Sequence, residues 1–323
     1  DSETANPFQA YQATRYVDTA IPHIPVTAHG LKENGYATIA TTNWLPYSWS
    51  INNVAFAEVM HTALSYFQAG RADAGYKLLK SSVLDGMYLG NSPGNFGQIS
   101  FYDAARGECY RDFGDPIGVA SRVLIQGLFG ILPDALNQQI ILRPGFPDDW
   151  DKASVSTPDI SYRFTRKEDT DTYHITQRFQ TPLHPVLHVN ARKEKIRSVK
   201  VNGVPATWQS IESAHGYPLL SIQAEGTSST TITIEWEGAS LHTLAVQEPV
   251  ITSNGKLALQ IPSGASISQV YDPQSILANH TVEATAFNAQ IKGEPGHHTF
   301  FVYTHQGEMD WWQPVNIYIE NVR

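Results

Sequence analysis

The 323-residue sequence contains a single cysteine, Cys109. No internal disulfide can form and none of the cysteine-based zinc patterns can be built. Stability must come from packing. Charge is also scarce: 16% of residues are charged, and 22 Lys and Arg face 31 Asp and Glu, for a formal net charge of -9. No run of basic residues occurs, which argues against nucleic acid and anionic membrane as partners, because both demand a basic face. No apolar run approaches a membrane span, so membrane insertion is not expected, and Asp1-Ser2-Glu3-Thr4 shows no basic-then-apolar export signal. In place of charge the chain uses Gly, Pro, Ser, Thr, Asn and Gln, which suits a loop-rich, exported, β-heavy protein. Cysteine poverty fits a periplasmic or extracellular location with the signal peptide already removed.

The length predicts two or three domains. The first fifty residues, with Pro7, Pro22, Pro25 and Pro46 scattered through them, read as long ordered loops. From Ile51 to Ala69 the pattern turns helical: Phe56, Val59, Met60, Ala63, Leu64 and Phe67 recur at helical spacing, and Gly70 sits where a C-cap belongs. A second helix is predicted over Ala72 to Leu84, with Tyr76, Leu79 and Val83 on one stripe, making an αα-hairpin. Asp85 to Gly114 has no sustained period and reads as a structured loop. A third helix is predicted with Asp115 as N-cap and Pro116 at its first position, ending at Gly130.

After Pro133 the period becomes two. Ile160, Tyr162 and Phe164 alternate with polar residues, as do Tyr173 and Ile175, and Ile232, Ile234 and Trp236; Val199-Lys200-Val201 runs into the hairpin turn Asn202-Gly203. Such spacing without helices predicts an antiparallel sandwich. Beyond a boundary near Glu237-Gly238-Ala239-Ser240, further strands are predicted at about 257–261, 281–291, 299–303 and 315–319.

Two clusters carry sugar-site chemistry. Trp44, Tyr47 and Trp49 lie among Asn43, Asn52 and Asn53, giving flat aromatic platforms beside amide hydrogen-bond partners. The same tryptophans would also serve simply to anchor an irregular loop. The second cluster combines Asn95, Phe96, Tyr102, Asp103, Arg106, Glu108, Arg111, Asp112 and Asp115. Glycoside hydrolysis needs one protonated carboxyl to assist the leaving oxygen and one ionised carboxylate as base or nucleophile. Glu108, Asp103 and Asp115 are the catalytic candidates. Trp44, Tyr47, Trp49, Asn52, Asn53, Asn95, Phe96, Tyr102, Arg106 and Arg111 are the substrate-binding candidates. Asp115 has a competing role as helix cap, Asp103 and Asp112 could pair with Arg106 or Arg111, and Glu108 has the least obvious structural task. On the first predicted helix Glu58 reads as either exposed or buried with desolvation acting against its charge, the exposed reading being favoured, and His61 as core or polar rim; the two are too few for a metal. In the last module His297, His298, His305 and Trp311-Trp312 suggest metal or sugar binding, but neighbouring strand residues face opposite ways, so one of the two tryptophans belongs to the core.

Ser92-Pro93-Gly94-Asn95-Phe96-Gly97, then Asp112-Phe113-Gly114-Asp115, then Leu124 to Ile131, then Ile141 to Trp150 with Pro144, Pro147 and Trp150, together resemble the closing section of six-hairpin glycosidases of the α-L-rhamnosidase-like and fucosidase-like families. The resemblance spans roughly residues 40 to 240, and none of it extends over Leu241 to Arg323. It implies an α+β multidomain fold. Residues 1–135 would be helices of a partial (α/α) toroid with long active-site loops, 136–240 an antiparallel β-sandwich, and 241–323 a second small, Ig-like β-sandwich module. A toroid of six hairpins needs twelve helices, so the remainder is expected either upstream or on another chain carrying the amino-terminal part of the same enzyme. The function implied is glycoside hydrolysis of a plant or microbial polysaccharide without a cofactor. Alternatives are a polysaccharide lyase, for which Tyr102, Tyr110 and Arg111 supply residue types, and a non-catalytic carbohydrate-binding fragment.

Overall fold

A computed structural model describes residues 5–26, 28–41, 53–88, 101–103, 108–110, 114–242, 244 and 248–321, with the backbone alone at 53, 101–103 and 108–110. The chain is mostly β-sheet with few helices, and it divides into two compact units. The first comprises Asp1–Leu132 and Leu142–Trp150, the second Pro133–Ile141 and Asp151–Arg323.

The first unit opens on a helix that the loop reading of residues 1–50 misses, α1 (Pro7–Ala20). Asn6 caps it: its side chain accepts from the Gln9 backbone at 2.9 Å while the Gln9 side chain accepts from the Asn6 backbone at 3.0 Å, and Pro7 follows at the first position. The helix is polar, with only Tyr11 and Thr14 buried, so it lacks the apolar period that reveals its neighbours. A short hairpin of His23–Pro25 with Ala37–Ile39 follows. The helices α2 (Phe56–Gln68) and α3 (Ala72–Val83) form as their periodicity predicts. Between them Gly70 takes φ +74°, and its N–H bonds Phe67 O while the Arg71 N–H reaches back to Tyr66 O, a Schellman ending. The last helix, α4 (Asp115–Arg122), starts with Gly114 at the cap and Asp115 one position inside, and continues as a π-helical stretch, Val123–Leu128. Gly130 follows at φ +67°, where a Cβ would lie 1.9 Å from Arg143 O, so no other residue fits.

The ring of Phe67 is the hub of this unit. A Cβ on Gly127 would come within 2.6 Å of it, one on Gly145 within 2.4 Å and one on Gly75 within 3.1 Å. Three segments therefore reach the ring with bare backbone. The proline-rich Arg143–Trp150 segment packs back by its aromatics, with Phe146 edge-on to Phe129 (5.4 Å), Trp150 stacked on Phe146 (6.1 Å) and edge-on to Tyr76 of α3 (5.1 Å).

In the second unit a six-stranded antiparallel sheet orders Val204–Pro205, Lys193–Val201, Ser229–Ser240, Thr170–Gln177, Ile160–Lys167 and Lys152–Ser156. A five-stranded sheet orders Gln209–Ile211, Leu219–Gln223, His184–Asn190, Gln139–Leu142 and Ile131–Asp134. Burial alternates as the period predicts: Ile160, Tyr162, Phe164, Ile232, Ile234 and Trp236 are all inside. Asn202 (φ +51°) and Gly203 (φ +80°) make the predicted two-residue turn. Asp171 sits in this interior, accepting at 3.0 Å from both Arg166 Nε and Arg192 Nη1 and at 3.1 Å from the Trp236 indole.

Two further sheets share one core of Ile, Leu, Val and Phe side chains centred on Phe287 and Phe300. One orders Val250–Thr252, Met309–Glu320, Gly296–Gln306 and Ala265–Tyr271; the other Lys256–Gln260, Ala286–Ile291 and Leu277–Glu283. The single strand predicted over 281–291 is a hairpin, turning after Glu283. Trp311 is fully buried and Trp312 half-buried. The Glu237-to-Ser240 boundary is bonded down: the Glu194 carboxylate accepts from Ala239 N, and the Gln306 and Gln313 amides hold Ser240 O, His242 and Leu244 N.

Candidate active site

A three-stranded antiparallel sheet in the first unit joins the segments from which both sequence clusters are drawn. Asn53–Ala55 runs directly into α2, anchored by the buried Val54 and Phe56. Thr41 Oγ1 accepts from Ala55 N at 3.2 Å, so the two flanks of residues 42–52 meet. Asn53–Ala55 pairs with Phe101–Asp103, and that strand pairs with Glu108–Tyr110. The register puts Asn53 opposite Asp103 and Asp103 opposite Glu108. These three backbone positions therefore form one row, with neighbouring Cα atoms about 5 Å apart. The adjoining row is Val54, Tyr102 and Cys109. Residues 85–114, read from sequence as one loop, thus contain two strands, too short at three residues each to show a period.

Trp44, Tyr47, Trp49, Asn52, Asn95, Phe96, Arg106, Arg111 and Asp112 lie outside the described residues, and Asn53, Tyr102, Asp103 and Glu108 are described by their backbone. Asp115 is exposed in the first turn of α4, where its charge complements the positive end of the helix. Glu58 and His61 are both exposed on α2.

Sequence reasoning passed over Asp85. It lies in a π-helical turn, Leu84–Tyr88, that continues α3, and among the described residues of the first unit it is the one fully buried carboxylate. Single π-helical turns within helices occur frequently at functional sites. Asp85 continues the buried face of Leu78 and Ser82, at i, i+4 and i+7, and not the predicted stripe of Tyr76, Leu79 and Val83, so no apolar period pointed to it.

Other acids of this unit have structural work. Asp18 accepts from Tyr66 Oη at 2.6 Å and from Arg71 Nη2 at 2.5 Å, while the Arg71 guanidinium lies over the Tyr11 and Tyr66 rings at 5.1 and 4.9 Å. This cluster ties α1 to the end of α2. Burial, then the bond to Asp18, pushes the Tyr66 hydroxyl far above its ordinary range. Asp73 is raised by burial and then by the nearby charges of Asp148 and Asp149, against a hydrogen bond from the Asp148 backbone. Among the described residues no group of three or more His, Cys, Asp or Glu side chains could hold a metal ion, and no helix is long and apolar enough to cross a membrane.

No protein-family profile and no curated protein matches the sequence. Solved structures with some similarity include an α-L-rhamnosidase from Dictyoglumus thermophilum, at a TM-score of 0.38 and 14% identity over 56% of this chain. The match spans 21% of the length of that enzyme. SGBP-B of the Bacteroides ovatus mixed-linkage glucan utilization locus, solved with a mixed-linkage heptasaccharide, is similar over 53% of this chain and 64% of its own, at a TM-score of 0.18 and 11% identity. A γ-CGTase from alkalophilic Bacillus clarkii is similar over 70% of this chain and 32% of its own, at 0.17 and 7%.

Proposed function

We propose that this chain is the carboxy-terminal part of an exported glycoside hydrolase acting on a plant or microbial polysaccharide, with Glu108 and Asp103 as its carboxylate pair. The observation that carries the reading is the row Asn53, Asp103, Glu108 across three short strands. It joins the backbone positions of an acid pair to the end of the aromatic-amide segment on one small sheet. In this reading α2, α3 and α4 belong to an (α/α) toroid whose other hairpins complete the cleft, Trp44, Tyr47 and Trp49 supply stacking surfaces, and Arg106 and Arg111 bind hydroxyls. The three-part division at about 135 and 240 goes with it, as does a periplasmic or extracellular location.

Reducing-sugar release by the intact enzyme on a panel of polysaccharides tests this. Glu108→Gln and Asp103→Asn should each lower turnover about 10²-fold or more, the scale of a lost general acid or base. Unchanged turnover in both variants would remove the pair. A product absorbing in the ultraviolet would assign the chemistry to a lyase, since elimination beside a uronate carboxylate leaves an unsaturated sugar.

A further inference from the structure

We infer that the outer face of the four-stranded sheet near the carboxy terminus is a second, non-catalytic carbohydrate-binding surface, formed by Tyr271, Tyr303 and Trp312 and taking a neutral saccharide chain. Strand register builds it in rows. Gln269 pairs with Tyr303 and Tyr303 with Trp312; the next row is Tyr271, Phe301 and Pro314, in which Phe301 is buried under Tyr271 (6.3 Å) and His215 (5.4 Å) and serves as the floor; the row on the other side is Ser266, His305 and Asp310. Aromatic rings are thus flanked by amide, hydroxyl, imidazole and carboxylate groups, the two kinds of surface that a sugar's C–H face and its hydroxyls require. Tyr303 lies 5.0 Å from Trp312 with ring planes 55° apart, and Tyr271 lies 6.5 Å from Trp312 at 69°. Tyr271 is 39% exposed, and Tyr303 and Trp312 are half-buried, so each ring keeps an open part.

Two features fix this surface. The strand Ala265–Tyr271 carries a β-bulge between Ile267 and Gln269. With unbroken pairing Tyr271 would oppose Phe300 and face the core; the extra residue puts Val270 opposite Val302 and turns Tyr271 outward beside Phe301. Bulges that re-aim a side chain concentrate next to functional sites. On the other side, Trp312 N–H donates to Ala214 O and Trp312 O accepts from Gly216 N, both at 2.9 Å, so the Trp312 backbone is bonded to the 214–216 segment while its strand pairs with the Tyr303 strand. Such anchoring limits what binding must order. The His305 ring bonds the Asp310 carboxylate at 2.7 Å, and burial, followed by the Asp310 and Glu212 charges, raises the Tyr303 hydroxyl. Those two carboxylates disfavour an anionic uronate and leave a neutral sugar as the matching ligand.

Affinity electrophoresis of the full chain tests this in gels cast with soluble β-glucan, arabinoxylan or galactomannan, with polygalacturonate as the acidic comparison. Retardation is expected in at least one neutral gel and not in polygalacturonate. Tyr271→Ala and Trp312→Ala should each weaken it about tenfold, the scale of one lost ring contact. Tyr271 stacks on the buried Phe301 at 6.3 Å, so both variants are scored after their thermal melts match the parent, with Tyr271→Leu, which still covers Phe301, as the substitute for Tyr271→Ala. Run in a Glu108→Gln background, so that the gel polymer is not hydrolysed, loss of retardation in the two aromatic variants is what separates this surface from the proposed hydrolytic site. No retardation in any neutral gel, or full retardation in both aromatic variants, overturns the inference. Self-association without sugar that Tyr271→Ala abolishes also overturns it, assigning the face to a second copy of the chain.

Discussion

The two units solve the problem of a crowded centre in opposite ways. In the first, Phe67 is surrounded by Gly75, Gly127 and Gly145, so the space left for backbone decides the packing. In the second, Asp171 is 1% exposed and held by Arg166, Arg192 and Trp236, so charge and hydrogen-bond completeness decide it. The first centre cannot accept an added atom, and the second cannot lose a partner. A buried charge is costly once unpaired, whereas a tight aromatic contact fails by overlap.

The sharpest way to break this comparison is to remove partners in the second unit. Arg192→Ala or Arg166→Ala should destabilise by about 3 kcal/mol or more, because Asp171 stays buried with half its compensation. Replacing Asp171, Arg166 and Arg192 together by apolar residues of similar volume should cost far less, and denaturant titration of the four proteins measures the difference. If the single and triple variants lose equal stability, completeness of the ion cluster is not what matters there. Next in size, Gly127→Ala and Gly145→Ala should each cost about 1–3 kcal/mol through overlap with the Phe67 ring. Combining either with Phe67→Leu should recover part of the loss, and purely additive losses would contradict the glycine cradle.

Smaller still is Asn6→Ala, which removes the α1 capping box and should cost about 1 kcal/mol. Hydrogen exchange should locate that loss in residues 7–20. The smallest effect concerns Glu194, whose carboxyl is held below its ordinary range by the Ala239 N–H and then by the Gln306 amide. A depressed carboxylate adds stability above its unfolded pKa, and that contribution is lost as pH falls through the folded value. Melts of Glu194→Gln and the parent should therefore differ near neutrality and converge in acid, below the usual carboxylate range. A constant gap across pH would show that the Glu194 bonds to the 239–240 segment do not depend on its charge.

The elements differ in how far residues alone reveal them. The apolar period from Phe56 to Phe67, the Gly70 ending and the alternation at Ile160, Tyr162 and Phe164 need no tertiary knowledge, since each reports burial at a fixed local spacing. α1 escaped because its signal is the Asn6-Pro7-Gln9 cap and not a stripe; Pro7, read as a loop marker, was in fact the first helical residue. Of the candidate site, the sequence offers two clusters of suitable residues. The row that joins Asn53, Asp103 and Glu108 arises from pairing across about fifty residues, between strands too short to show a period.

By itself, then, the sequence determined the helix pair, the β-rich remainder, the Asn202-Gly203 turn and the division of Trp311 from Trp312, all consequences of side-chain period and turn chemistry within a few residues. Only the tertiary structure decided the Phe67 cradle, the Asp171 cluster, the bulge that turns Tyr271 outward and the row through Glu108. Each depends on which distant segments approach one another, and that is set by the packing of the whole unit, which no local window contains.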